Sequence, residues 1–157
     1  MTIRTAPARA ILGACLFVLL ACAGPKDVGA LPVTEVVVDS EKGPQHFTVE
    51  LATDSASQER GLMYRKSLAP NAGMLFDFYY TMGLTFWMKN TYIPLDIIFI
   101  RADGTIANIA ANAEPMSTKQ IPSKGGVRAV LEINGGRAAE LGIKSGQKVH
   151  AGIFGNL

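Results

Sequence analysis

The stretch TFWMKNTYIPLDIIFI, residues 85–100, decides the fold, because polar residues interrupt a run that is otherwise apolar and strand-prone. Residues 95–100, LDIIFI, are apolar on both faces apart from Asp96, which is typical of a central strand covered on both sides. The interrupting residues are Lys89, Asn90, Pro94 and Asp96. We interpret them as an ordered loop at the mouth of a sheet.

Strand patterns continue on the C-terminal side of this loop. Residues 84–89 and 95–101 are followed by the tight turn 102–104 and a further strand-like run at 105–110. The pattern predicts three consecutive strands in a meander.

The rest of the chain alternates in the same way between short apolar runs and turns. Further strands are predicted at 34–39, 45–51, 74–78, 127–133 and 147–154. A short helix is predicted from the capping box of Ser55 and Gln58 to about 63–65, and another at 134–142 with Gly142 in the left-handed C-terminal position. About eight strands and two short helices favour an α+β fold, built on a compact, mostly antiparallel, barrel-like sheet.

The first residues have the layout of a secretory signal peptide. Arg4 and Arg9 precede an uncharged apolar run at 10–21, which is shorter than the roughly 20 residues of a membrane-spanning helix. Leu19-Leu-Ala-Cys22 resembles the bacterial lipobox, in which the cysteine is lipidated. Ala21-Cys-Ala23 and Val28-Gly-Ala30 instead fit ordinary secretion, so both cleavage routes stay open.

These signals predict a signal peptide of the lipoprotein type at 1–22, a tether at 23–32 and a single β-rich domain at 33–157. Ala23 after the cysteine suggests the outer membrane, on the periplasmic side of a bacterial envelope. The whole chain has 15 basic and 13 acidic residues, and loss of Arg4 and Arg9 with the leader equalises the two. That balance argues against nucleic acid as a partner.

Seven motifs then occur in a fixed order: Arg60-Gly-Leu-Met-Tyr-Arg65, Gly73-Met-Leu-Phe76, Phe86-Trp-Met-Lys-Asn-Thr91, Pro94-Leu-Asp-Ile-Ile-Phe99, Asp103-Gly104, Glu114-Pro115 and Val130-Leu-Glu132. Together they resemble the bacterial and archaeal family catalogued as domain of unknown function 192, over residues 34–154. The resemblance implies a small, often exported, compact β-rich domain, and it brings no established enzymatic activity.

The residues that interrupt apolar runs form the candidate binding site: Arg60, Arg65, Trp87, Lys89, Asn90, Asp96 and Glu132. Asp96 either fastens the loop 90–94 through its amides or belongs to a polar patch at one end of the barrel. Glu132 either bonds loop amides or an arginine, or pairs with Asp96 as a two-carboxylate catalytic site. Trp87 beside Lys89 forms either part of the core or a platform for a sugar or peptide.

No cofactor or metal is predicted. His46 and His150 each stand alone in a strand, and the predicted mature domain has no cysteine other than Cys22, the candidate lipid anchor. Gly135-Gly136 opens the second helix and can hold an anion.

Three functions follow from these observations. The first is a non-catalytic, exported, lipid-anchored monomer that binds a small ligand, a glycan or an envelope protein at one end of the barrel. The second is an envelope hydrolase that uses Asp96 and Glu132 as acid and base. The third is a purely structural envelope protein, which would have no concave site beside Trp87.

Overall fold

The computed structural model describes residues 29–157. The predicted signal peptide at 1–22 with Cys22, and most of the predicted tether at 23–32, lie outside the described residues and stay predictions. Within 29–157, no helix combines the length and the apolar character needed to cross a membrane.

Short strands dominate the described residues, with two short helices between them. The elements are β1 (Val33–Val38), β2 (Gln45–Ala52), α1 (Ser55–Arg60), β3 (Ala72–Met82), β4 (Thr85–Phe86), β5 (Leu95–Ile100), β6 (Ile106–Ala113), β7 (Ile121–Pro122), β8 (Val127–Asn134), α2 (Arg137–Leu141), β9 (Val149–Ala151) and a 3-10 turn at Gly152–Phe154.

Seven strands form one sheet in the order β6-β5-β8-β3-β2-β1-β9. Only β2 and β3 pair in parallel, and α1 lies in the crossover between them. The two edges of the sheet meet where Thr105 and Lys148 form a bridge, and the Ile106 amide donates to the Gln147 carbonyl at 2.9 Å. The sheet therefore curls, and the predicted α+β fold with a mostly antiparallel, barrel-like sheet is confirmed.

The inner face of the curled sheet holds one hydrophobic core. Residues from strands across the sheet contribute to it, among them Val36, Phe47, Ile98 and Leu131, all at most 1% exposed. Ala138 from α2 packs against the same core, so α2 covers part of this face.

The outer face of β3, β5 and β8 carries a second core. Phe76, Ile97 and Val130 are buried there beneath Leu62 and Met88, which come from the connections on either side of β3 and β4. Every residue of β5 is buried, as predicted for a strand covered on both sides.

The predicted meander is wrong in its first strand. Only Thr85–Phe86 of residues 84–89 is a strand, and it pairs with Ile121–Pro122 in a separate two-stranded sheet. The reason is that Met88 packs down onto the outer core, so this segment covers the large sheet instead of joining it. The β5–β6 hairpin forms as predicted.

The capping box of α1 lies one residue earlier than predicted. Asp54, not Ser55, is the N-cap, because its carboxylate accepts the amides of both Ala56 and Ser57, at 2.9 and 3.0 Å. The helix ends at Arg60, before the predicted 63–65, since Gly61 turns the chain with φ 48°.

Candidate functional site

A cleft of about 310 Å³ opens on the outer face of the sheet, between the end of α1, β3 and β4. We call it the aromatic cleft. Its lining residues are Gln58, Glu59, Arg60, Gly61, Leu62, Met63, Phe76, Phe78, Leu84, Thr85, Phe86, Trp87, Thr91 and Glu132. The predicted residues Arg60, Trp87 and Glu132 therefore lie together, on the outer face of the sheet.

The segment 61–65, which we call the strap, begins against the floor of the cleft, and its Leu62 packs into the outer core. Gly61 makes the close approach possible, because a Cβ at this position would lie 3.3 Å from Phe76 Cζ and 3.8 Å from Glu132 Oε2. Its positive φ also disfavours any other residue. The strap and Glu132 are thus in near contact.

Phenylalanine rings build one wall of the cleft and the layer beneath it. Phe86 makes edge-to-face contacts with Phe76, Phe78 and Phe99, with ring centroids 5.3, 6.3 and 5.8 Å apart. Such pairs hold ring orientation as well as burying area. The wall is therefore apolar and geometrically fixed.

Glu132 lies at the base of this apolar site. It sits on β8 between Met74 of β3 and Ile97 of β5, and the residue is only 5% exposed. Burial raises the pKa of its carboxyl group from 4.5 to about 8, so the acid form predominates at neutral pH. Within residues 29–157 no hydrogen bond reaches Oε2. Within the described residues, Oε2 therefore has neither of the predicted partners, a loop amide or an arginine.

A buried polar atom without a partner is uncommon in native proteins, because it has lost its water and gained nothing in return. An atom of this kind at a ligand site can obtain its hydrogen bond from the ligand. Among the predicted site residues, Glu132 is the one with a buried polar atom that has no hydrogen-bond partner within residues 29–157.

Asp96 lies on the opposite face of the sheet. Glu132 pairs directly with Ile97, so Asp96, one position earlier, points to the inner face. It is fully buried and accepts the amides of Asn112, Gly136 and Ala138 at 2.7 to 2.9 Å.

Two predictions about Asp96 are therefore corrected. Its partners are the 112 region and the start of α2, not the loop 90–94, because its side chain points away from that loop's side of the sheet. The catalytic pair of Asp96 and Glu132 does not form, since the two carboxyl groups face opposite sides. The anion predicted at Gly135-Gly136 is the chain's own Asp96.

Trp87 and Lys89 form the rim of the aromatic cleft. Trp87 is 47% exposed and lines the cleft, while Lys89 Nζ lies 5.1 Å from the centre of its ring. Met88, between them in the chain, is buried on the opposite side of this segment. Trp87 is thus exposed at the cleft and is not part of the core.

Asn90 has a structural position next to the strap. Its backbone is left-handed, with φ 57°, and its carbonyl accepts the Tyr64 amide at 2.8 Å. Its side-chain amide donates to the Tyr64 hydroxyl oxygen at 2.9 Å. Asparagine tolerates this conformation better than most residues do.

Arg65 belongs to a smaller neighbouring cleft of about 210 Å³. Its guanidinium makes two hydrogen bonds to the Glu50 carboxylate, at 2.6 and 2.7 Å, and this pairing raises the pKa of Arg65. Arg60 lines both clefts and stacks 5.7 Å from the Tyr64 ring. The two predicted arginines therefore meet at the smaller cleft, and only Arg60 also reaches the aromatic cleft.

Sequence reasoning missed the residues that shape the cleft. Phe76, Phe78 and Phe86 read as ordinary strand residues, and Gly61 as part of a helix end. The Gly61-Leu62 step inside a recognisable motif was the one signal that could have found the strap. Among the residues that the structure describes, no group of three His, Cys, Asp or Glu side chains could hold a metal ion.

Comparison with known proteins gives one family and several solved structures. Residues 36–151 match the model of the family DUF192, described as "Uncharacterized ACR". No curated protein matches the chain.

Two of the similar crystal structures cover most of the chain. A protein from Sinorhizobium meliloti 1021, described provisionally as a transcription regulator, is 42% identical with a TM-score of 0.77, and the match covers 81% of this chain and 99% of that one. A protein of unknown function from Novosphingobium aromaticivorans is 49% identical with a TM-score of 0.76, covering 78% and 88% respectively.

Proposed function

The chain belongs to the DUF192 family, and from that premise we propose that it is a non-catalytic binding domain of an exported, lipid-anchored protein that holds a small ligand in the aromatic cleft. The observation that carries the proposal is the buried carboxyl group of Glu132, which lacks a partner for Oε2 within the described residues and lines an apolar cleft. A volume of about 310 Å³ is at the small end of the range for small-molecule sites.

The cleft beside Trp87 weighs against a purely structural role. Exposed Trp87 offers apolar area at the rim, and Lys89 stacked on it offers donors, so an apolar or glycan-like body can lie across the entrance. Transcription regulation is the provisional description of the Sinorhizobium meliloti relative. The near balance of charges here, with a net of +2 for the whole chain, lends DNA binding little electrostatic support.

The export part of the proposal rests on the leader sequence and Cys22. Gly29 and Leu31 line the smaller cleft, so the chain enters the domain beside the strap.

The anchor is tested by cell fractionation. In a Gram-negative host, we expect the original protein in the membrane fraction and the Cys22→Ala variant in the soluble fraction. Equal distribution of both variants would refute the anchor without touching the binding proposal.

Binding is tested with the purified protein by thermal shift and Trp87 fluorescence, against amino sugars, peptidoglycan fragments, short peptides, carboxylic acids and amides. Trp87 is the only tryptophan, so its emission reports directly on the cleft rim. A ligand that binds the native state stabilises it by RT ln(1 + L/Kd), where L is the ligand concentration, so the melting temperature rises with the logarithm of that concentration once it exceeds Kd.

The matched variants are Leu84→Phe and Ile93→Phe. Both enlarge a partly buried residue that packs against the outer core, but only Leu84 lines the cleft. We expect Leu84→Phe to abolish the response and Ile93→Phe to keep it. Equal binding by both variants, or no response to any compound, would refute the proposed site.

A further inference from the structure

The identity of the group at the floor of the aromatic cleft limits what the cleft can bind. A protonated carboxyl group has one O–H donor and further acceptor capacity, whereas an ionised one only accepts. Glu132 is surrounded by Phe76, Phe86 and the strap, with no cation placed against Oε2 within the described residues. Its surroundings favour the form that donates.

The charges that face Glu132 come from several elements. On α1, Glu59 and Arg60 line the same cleft, and Lys89 lies over Trp87 at the rim. Behind the strap, Glu50 and Arg65 neutralise each other. The outer faces of β3 and β5 contribute the apolar residues Met74, Phe76 and Ile97.

A positively charged ligand would favour an ionised Glu132 among phenylalanine rings, where a charge is poorly solvated. A ligand with an acceptor oxygen does not require that ionisation, because it takes the existing O–H of Glu132 and satisfies the buried group.

We infer that the aromatic cleft binds a small aromatic or aliphatic molecule through a carbonyl or carboxylate oxygen that accepts a hydrogen bond from the protonated Glu132 carboxyl group. This inference rests on the proposed function and adds the ligand's chemical class. The apolar body lies against the phenylalanine wall, and the acceptor oxygen points to the floor.

The assignment makes binding depend on pH in one direction. Burial raises the pKa of Glu132 to about 8, so the donor is present below that pH and is lost above it. Only the protonated fraction is competent, which weakens the measured affinity roughly tenfold between pH 6 and pH 9. A cation site would respond in the opposite direction, because ionisation would strengthen it.

Three probes with one aromatic body separate these chemistries: phenylacetamide, phenylacetate and phenethylamine. The first presents a neutral acceptor, the second an anionic acceptor and the third an ammonium group. Trp87 fluorescence titrations at pH 6 and pH 9 measure each Kd. We expect phenylacetamide or phenylacetate, or both, to bind at pH 6 and to lose about tenfold at pH 9, while phenethylamine binds more weakly.

Two variants assign the effect to one group. Glu132→Gln keeps a donor and the side-chain volume but cannot ionise, so binding should persist with no loss between pH 6 and pH 9. Glu114→Gln removes the charge of an exposed carboxylate that does not line the cleft, and it should keep the loss seen in the original protein.

Preferential binding of phenethylamine would overturn the inference, as would the same pH dependence in Glu132→Gln. Failure of all three probes would also overturn it, while a glycan or peptide response that Leu84→Phe abolishes would leave the proposed function standing. If no compound bound in either the thermal-shift screen or the titrations with the three probes, the proposed function itself would be refuted.

Discussion

Asp96 and Glu132 are buried carboxyl groups on the neighbouring strands β5 and β8, and they face opposite sides of one sheet. Asp96 accepts three backbone amides, two of them at the start of α2. Glu132 has Oε2 buried with no partner in residues 29–157. The two carboxyl groups are thus both buried, but only that of Asp96 has its hydrogen bonds satisfied by the backbone.

The difference separates a structural carboxylate from one available for binding. On the inner face, the amides of Gly136 and Ala138 would be left unpaired without Asp96, so the side chain satisfies the backbone and fixes α2 to the sheet. On the outer face, the fold obtains nothing comparable from Glu132. Its desolvation is a cost in the unliganded domain that a ligand's acceptor oxygen can offset.

The largest expected effect is that of Asp96→Ala. It removes the acceptor from three backbone amides, of which that of Ala138 is buried, and we expect the free energy of unfolding to fall by about 3 to 5 kcal/mol. Urea denaturation followed by far-UV circular dichroism measures the change. Asp96→Asn keeps one acceptor oxygen and should lose less.

Glu59→Ala is the control, because Glu59 is an exposed carboxylate and should change stability by no more than about 0.5 kcal/mol. If Asp96→Ala unfolded no more easily than Glu59→Ala, the contrast between the two faces would collapse.

The second effect is a pH-dependent difference between the original protein and Glu132→Gln. The pKa of Glu132 is raised from 4.5 to about 8, so the native state holds the proton more tightly than the unfolded state. Stability is therefore lost as pH rises through this window, by at most about 1.4 kcal/mol per pH unit from this group.

Glu132→Gln lacks that loss, because its amide does not ionise. Between pH 6 and pH 8 we expect the stability of the variant to improve relative to the original protein by up to about 3 kcal/mol. Urea midpoints at several pH values measure it. Parallel pH curves for the two proteins would show that Glu132 ionises as freely in the native state as in the unfolded chain.

The inner half of this comparison was accessible from the sequence. Continuous apolar character in residues 95–100 predicted a doubly covered central strand. It also predicted that Asp96 needs partners, because a bare carboxylate there is too costly, and loop amides were one of the two alternatives. Which amides satisfy it depends on where α2 returns to the sheet. One strand pattern does not contain that long-range contact.

The outer half was accessible only in part. The sequence showed that Glu132 interrupts an apolar run, and it predicted amides, an arginine or Asp96 as the partner. The pattern gave no sign that Oε2 would be buried without a partner within the described residues. Alternation assigns a residue to a face, and the cover on that face comes from distant segments such as the strap and β4. That is also why residues 84–89 read as a strand of the main sheet.

Asn90→Ala tests whether the loop beside the strap is scaffolding. The change removes a hydrogen bond to Tyr64 and places alanine at φ 57°, and we expect a loss of about 1 to 2 kcal/mol. Asn90→Gly separates the two contributions, since glycine relieves the backbone strain but also lacks the side chain. Thermal unfolding of the two variants measures each part. Equal losses would mean that backbone conformation contributes little here.

Lys89→Ala should have the smallest effect on stability, about 0.5 kcal/mol or less, because an exposed cation stacked on an exposed ring is worth little in water. A core truncation such as Ile98→Ala provides the scale, at about 2 to 5 kcal/mol. If Lys89→Ala instead matched Ile98→Ala in a thermal melt, the rim of the cleft would be part of the scaffold. If Lys89→Ala lost little stability but lost more affinity for phenylacetate than for phenylacetamide, each relative to the original protein, the Lys89 charge would take part in anion recognition. Only the anionic probe gains from that charge. The thermal melt and the two titrations of Lys89→Ala therefore decide whether the rim of the aromatic cleft serves binding, as we infer for Glu132 at its floor, or stability, as Asp96 does on the inner face.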